Sequence, residues 1–247
     1  MPLIPDPREY RMQAQESPQA SAPIHVTWLG HATFVVASAG GTSFLIDPFL
    51  KGNPATPDSL NDPGRYRPAA IIVTHSHSDH SSDAKAVALA SGAPVIGEDD
   101  FVNSLGLPDR QVMGGNVGGR FTIGDVTIHL VPAMHSSAPA GRPIGVVLTF
   151  ADGRSLYHTG DTWIFGDMAL IEELYHPAVI LLNTGGGPYT QDPATAALAV
   201  KKYFHPDVIV PMHHQTFPGL ATEEDVKQAF SGDPRLRILP VGQRVSF

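Results

Sequence analysis

The chain has 247 residues, 42% of them apolar, which suffices for one large domain or two small ones with a full core. The 16 basic and 24 acidic side chains leave a formal net charge of −8, which argues against a generic binder of phosphate backbones, whose surface is normally basic. Cysteine is absent, which excludes disulfides, thiolate metal sites and cysteine nucleophiles, so any metal must be held by carboxylates and the 12 histidines.

Residues 1–23 carry Pro2, Pro5, Pro7, Pro18 and Pro23 among polar residues. They read as an arm, either without fixed structure or packed on a neighbouring subunit of a homo-oligomer. No charged-then-apolar signal pattern opens the chain, and no apolar stretch is long enough to span a membrane. The expectation is a cytoplasmic protein with no membrane partner.

From His25 the pattern turns strand-like. His25–Leu29, Thr33–Val36 and Ser43–Ile46 are short, rich in β-branched and aromatic residues, and separated by glycine-containing turns. Ala69–Val73 is a continuous apolar run, as in a strand covered on both faces. Asp83–Ala90 reads as a helix, Pro94–Ile96 as a strand and Asp99–Leu105 as a helix. Gly114–Gly119 lacks the strand–turn–helix setting of a dinucleotide loop and reads as a turn. Gly124-Asp125 and Asp152-Gly153 mark two hairpins, Phe121–Ile123 with Val126–Val131 and Ile144–Phe150 with Ser155–Tyr157. A helix at Asp167–Leu174 and a strand at Val179–Leu182 follow. Asp192-Pro193 starts the next helix, with Asp as N-cap and Pro in the first turn. Val208–Val210, a helix at Glu223–Phe230, and strands at Arg237–Leu239 and Arg244–Phe247 close the chain. Hairpins in the first half, with helices throughout, predict two facing β-sheets covered by helices. No linker interrupts residues 24–247, so they read as one domain.

The densest chemical signal is Thr74-His75-Ser76-His77-Ser78-Asp79-His80, directly after the apolar strand Ala69–Val73. Side chains two apart on extended backbone share a side, so His75 and His77 can grip one ion. Asp79 and His80, just past the strand end, can reach a second. Imidazole and carboxylate are ligands that zinc and similar ions accept. Three further candidates lie just past predicted strands: His135, Asp161 and His213.

This set resembles the metallo-β-lactamase superfamily, whose signature His-x-His-x-Asp-His stands at residues 75–80. The supporting segments are Trp28–Phe34, Leu45–Phe49, Tyr157–Thr162, Phe165–Met168, Pro211–His213 and Thr216–Pro218. The resemblance covers about residues 24–247 and is closest to a branch of small metal-dependent hydrolases related to the lactonases of ascorbate metabolism. It implies an α/β fold, a four-layer αββα sandwich of two facing mixed β-sheets with helices outside. It also implies two divalent ions, zinc first and manganese second. His75, His77 and His135 would hold one, Asp79, His80 and His213 the other, and Asp161 would bridge them.

The activity implied is hydrolysis of an ester-type bond, a lactone or phosphate ester of a small molecule, by a metal-bridged hydroxide. Asp79 and Asp161 are the candidate proton donors to the leaving group. Asp47 is expected to accept a proton from a ligand histidine and fix its tautomer. His31 would do the same, meet the substrate, or be satisfied within the fold. His214, beside the ligand His213, either lines the pocket or is surface. The loop Asn183–Thr190 is either a pocket loop or a connector. Trp163, Tyr189 and Phe217 are candidate apolar walls. Two other readings of the same motif are a nuclease or phosphodiesterase acting on nucleic acid, which the net charge disfavours, and a diiron redox protein. A scaffold with a dead site is a third.

Overall fold

A computed structural model describes residues 22–247. The arm expected over residues 1–23 lies, but for its last two residues, outside the described residues.

The first sheet has seven strands in the order β13-β1-β2-β3-β4-β5-β6. These are β1 (His25–Gly30), β2 (Thr33–Ala37), β3 (Ser43–Ile46), β4 (Ala70–Val73), β5 (Val95–Glu98), β6 (Val112–Gly115) and β13 (Arg244–Ser246). Strands β13 to β3 pair antiparallel, and β3 to β6 pair parallel. The second sheet has six strands in the order β12-β11-β10-β9-β8-β7. These are β7 (Arg120–Ile123), β8 (Val126–Pro132), β9 (Ile144–Thr149), β10 (Ser155–His158), β11 (Val179–Asn183) and β12 (Val208–Met212). Here β10, β11 and β12 run parallel and the rest pair antiparallel.

Strand alternation decides where the core sits. In β1 and β2, Val26, Trp28, Phe34 and Val36 face inward, where they meet Ile128, Leu130, Val146, Leu148 and Leu181 of the second sheet. The opposite faces are also apolar. Val147, Tyr157, Ile180 and Ile209 pack under α4 (Met168–Tyr175), α5 (Pro193–Tyr203) and α6 (Glu223–Ala229). Leu45, Ile71, Val73 and Val95 pack under α2 (Ala84–Ser91) and α3 (Asp99–Ser104). Strands buried on both faces explain the unbroken apolar runs in β4, β11 and β12. The result is the expected αββα sandwich.

Helix starts follow their caps. The Asp192 side chain accepts from Thr195 N at 2.7 Å with Pro193 in the first turn, and Thr222 with Asp225 forms a reciprocal capping box on α6. Two expectations need correction. Gly114 and Gly115 are not a turn. They belong to the edge strand β6, with Gly97 opposite Gly114, and glycine is needed because a Cβ there would meet Asp99 at 2.3 Å or the Phe121 ring at 2.9 Å. Arg237–Leu239 is not a strand; one isolated bridge, Ile209 to Leu236, replaces it. A one-turn helix, α1 (Ser78–Ser81), was not expected from the sequence.

Candidate metal centre

Every sequence-predicted ligand lies past a strand end on one edge of the sandwich. His75 and His77 follow β4, and α1 then turns Asp79 and His80 back toward them. His135 follows β8, Asp161 follows β10 and His213 follows β12. The chain must reverse sharply at these points. Asp47, His31 and His213 have left-handed φ angles of 47°, 54° and 68°, a strained conformation for non-glycine residues. At His31 and His213 the strain is held by the His31 carbonyl, which accepts from the Trp28 indole at 2.9 Å and from His213 N at 3.1 Å. Before Asp161, Gly160 sits at φ 58°, and a Cβ there would lie 2.6 Å from the Ile144 carbonyl oxygen. Only glycine fits.

The side chains converge in three groups, within each of which one potential ligand atom per residue lies within 4.8 Å of the others. His75, His77 and His135 form the first group; His77 Nδ1 is 3.0 Å from His75 Nε2 and 3.3 Å from His135 Nε2. Asp79, His80 and His213 form the second together with His31, whose Nε2 is 3.1 Å from Asp79 Oδ2. His75, His80 and Asp161 form the third. Asp161 stands between the first two groups, with Oδ2 3.0 Å from His213 Nε2 and 3.7 Å from His135 Nε2, and Oδ1 3.4 Å from His80 Nε2.

Outer partners fix these groups. Asp47 is fully buried. Its Oδ1 accepts from Thr74 N at 2.7 Å, and its Oδ2 from Thr74 Oγ at 2.7 Å and His80 Nδ1 at 2.8 Å. His80 therefore aims Nε2 into the centre. Asn183, at the end of β11, donates to Asp161 Oδ1 at 2.6 Å. The sequence reading placed Asn183 only in a glycine-rich loop; a lone amide ending an apolar strand was the available signal. His214 turns away from the centre and stacks on Trp28, ring centroids 5.4 Å apart. It is buried, neither lining the pocket nor on the surface.

The electrostatics suit a cation. Burial holds His75 well below the usual imidazole value. Burial, with His213 beside it, lowers His31 to about 4, and burial lowers His135 as well. These rings are neutral at pH 7 and offer lone pairs. Burial opposes charge on Asp79, yet its hydrogen bond to His31 and the neighbouring imidazoles hold it below the carboxylate range. Burial likewise opposes charge on Asp161, and His213 and His80 outweigh it. Burial disfavours charge on His80 too, but Asp161 and Asp47 raise it well above the usual value. With Nδ1 committed to Asp47, Nε2 is the free position, and it is buried with no hydrogen-bond partner. Both nitrogens of His213 are buried without partners as well. Inward-aimed imidazole nitrogens beside two carboxylates fit a divalent ion better than any hydrogen-bond network the residues make among themselves.

A cavity of about 1040 Å³ opens over the centre. His77, Asp79, His135, Asp161 and His213 form its floor, and Tyr189 and Phe217 stand in its wall. Trp163 is exposed and outside that lining.

A four-layer sandwich carrying clustered histidines and carboxylates on one edge defines a metal-binding hydrolase scaffold. A family profile described as a beta-lactamase superfamily domain matches residues 25–213, and the chain belongs to that superfamily. It is 42% identical over 231 residues to a UPF0173 metal-dependent hydrolase of Myxococcus xanthus, covering 89% of this chain and 81% of that protein. It is 39% identical over 220 residues to a UPF0173 metal-dependent hydrolase of Pyrobaculum islandicum, covering 87% and 95%. Among solved structures it matches Igni18, a metallo hydrolase of Ignicoccus hospitalis, with a TM-score of 0.80 and 34% identity over 91% of this chain and 98% of that one. The chain is a metal-dependent hydrolase. No helix among the described residues is long and apolar enough to cross a membrane.

Proposed function

We propose that the chain hydrolyses an ester-type bond, a lactone or a phosphate ester, in a small molecule at this centre. Two divalent ions serve the reaction, zinc in first place and manganese in second. His75, His77 and His135 would hold one, Asp79, His80 and His213 the other, with Asp161 shared. Bound divalent ions would supply Lewis acidity toward the scissile oxygen and water activated at neutral pH. The observation that carries the reading is the convergence of the ligand groups from both sheets at the floor of one cavity.

The chain's own residues set the geometry. Asp47 accepts a hydrogen bond from His80 Nδ1–H and so presents Nε2 inward. Asn183 ties down Asp161 Oδ1 and leaves Oδ2 facing His213 and His135. Asp79 and Asp161 differ in access. The Asp79 side chain is 29% exposed and lines the cavity, whereas Asp161 is 3% exposed. Asp79 is therefore the better placed to take a proton from water and hand it to a departing group, and His31 Nε2 lies 3.1 Å behind its Oδ2.

The test is hydrolysis by metal-stripped protein reloaded separately with zinc or manganese, against lactones, carboxylic esters and phosphate mono-, di- and triesters. Turnover that requires metal and vanishes in Asp161→Asn is expected. Metal-independent turnover, or none on any ester class with metal bound, refutes the reading.

A further inference from the structure

The cavity wall identifies the part of the substrate that the metal floor does not touch. Above the floor the lining is Ala138, Pro139, Pro188, Tyr189, Phe217 and Leu220, with the hydroxyls of Ser76, Ser78 and Ser136 as its small polar elements. Among the described residues no lysine or arginine lines it. Tyr189 is 72% exposed and Phe217 38% exposed, and both rings stand in the cavity wall. Phe217 is braced from behind, stacked on Phe49 at 6.2 Å and edge-on to His31 at 5.6 Å, so its outer face is preformed.

Among the described residues the lining offers no cationic side chain to neutralise a phosphate dianion and no basic groove for a strand of nucleic acid.

We infer that the substrate is a neutral carboxylic ester or lactone with an aromatic or aliphatic body, drug-sized rather than acetate-sized, packed between Tyr189 and Phe217. This rests on the hydrolytic centre proposed above and narrows its bond to carbon–oxygen at an acyl carbon. In the reaction the acyl C–O bond breaks and the water oxygen joins the acyl carbon. A proton from water ends on the leaving oxygen, giving an acid and an alcohol. The cavity's volume lies at the upper end of the range for small-molecule sites, which normally join an apolar lining to a few polar groups.

Binding tests the substrate class without requiring turnover. Acetohydroxamate, benzohydroxamate, 2-naphthohydroxamate and 4-phosphonobenzohydroxamate share a metal-chelating head and differ only in body. Titration calorimetry on the metal-loaded protein should find the naphthyl compound at least about tenfold tighter than the acetyl one, as burial of one aromatic ring predicts. The phosphono compound should bind more weakly than benzohydroxamate. Tyr189→Ala, an exposed position that folding does not depend on, should shrink the naphthyl-to-acetyl ratio. Tyr189→Arg should reverse the order of the phosphono and benzo compounds. Equal affinities across the apolar series, or tighter binding of the phosphono compound by the unmodified protein, overturns the inference and leaves the metal centre standing. No binding of any hydroxamate to protein shown to carry metal overturns both.

Discussion

Gly185 follows Asn183 and Thr184 at the end of β11, and its role is to leave room. An ideal Cβ built there would lie 2.4 Å from His213 Nδ1, 3.1 Å from His213 Cγ and 2.9 Å from Thr190 Oγ. Its own φ is not left-handed, so alanine is compatible with the backbone, and the effect of Gly185→Ala falls on the His213 ring and the Thr190 hydroxyl. Ordinary contact begins near 3.4 Å, so His213 must retreat by about 1 Å (3.4 − 2.4). Metal–ligand distances tolerate about 0.2 Å. The ring cannot simply tilt away, because its Nε2 would then leave the group with Asp79 and His80. Gly185→Ala should therefore fold with stability within about 1 kcal/mol of the parent. Metal affinity at the Asp79, His80 and His213 group should fall at least about 10- to 100-fold, the cost typical of losing a supporting partner. The His75, His77 and His135 group does not touch Gly185, and metal held there should stay. Metal content after dialysis, with chelator competition for each affinity, reads both sites. Metal content and affinity equal to the parent's would refute the steric argument.

Other positions yield separate expectations. Asp47→Ala strands three buried donors, Thr74 N, Thr74 Oγ and His80 Nδ1, and should cost the metal-free protein about 3 kcal/mol in urea unfolding; a loss under 1 kcal/mol would contradict that network. Asp192→Ala removes the cap on Thr195 N and should cost about 1 kcal/mol, with no change in metal content. His158 donates Nε2 to the Ala32 carbonyl and accepts from Gly160 N at Nδ1, so the neutral ring is the one that fits, and burial lowers its pKa. The unfolded chain takes up that proton first, so stability should fall as pH drops from about 6.5 toward the lowered value. In His158→Asn the slope of urea midpoint against pH should flatten in that window, and an unchanged slope would exclude His158 as its source.

The sequence showed the ligands more clearly than their supports. The cluster at residues 75–80 advertises itself because four metal-binding side chains in six residues have no ordinary structural use. His135, Asp161 and His213 were legible because each ends a run of apolar residues. The choice between His213 and His214 came from resemblance, and packing against Trp28 gives it a physical basis. What stayed hidden were roles defined by distance across the fold. Gly185 matters through a ring 28 residues away, and Asn183 through a carboxylate on another strand. Helix α1 was hidden because a single turn carries too little periodicity. Strand β6 was hidden because glycines, chosen for close packing, look like a turn.

The candidate ligands come from both halves of the sandwich. His75, His77, Asp79 and His80 follow the first sheet, and His135, Asp161 and His213 follow the second. An occupied centre therefore rivets one sheet to the other at the edge where four ligand-bearing loops gather. Free metal at a hundred times its dissociation constant would add about 2.7 kcal/mol to stability, a large fraction of what holds any domain together. The lifetime of the chain against proteolysis then becomes a gauge of metal supply, and a cell starved of the ion would lose the protein itself along with its activity.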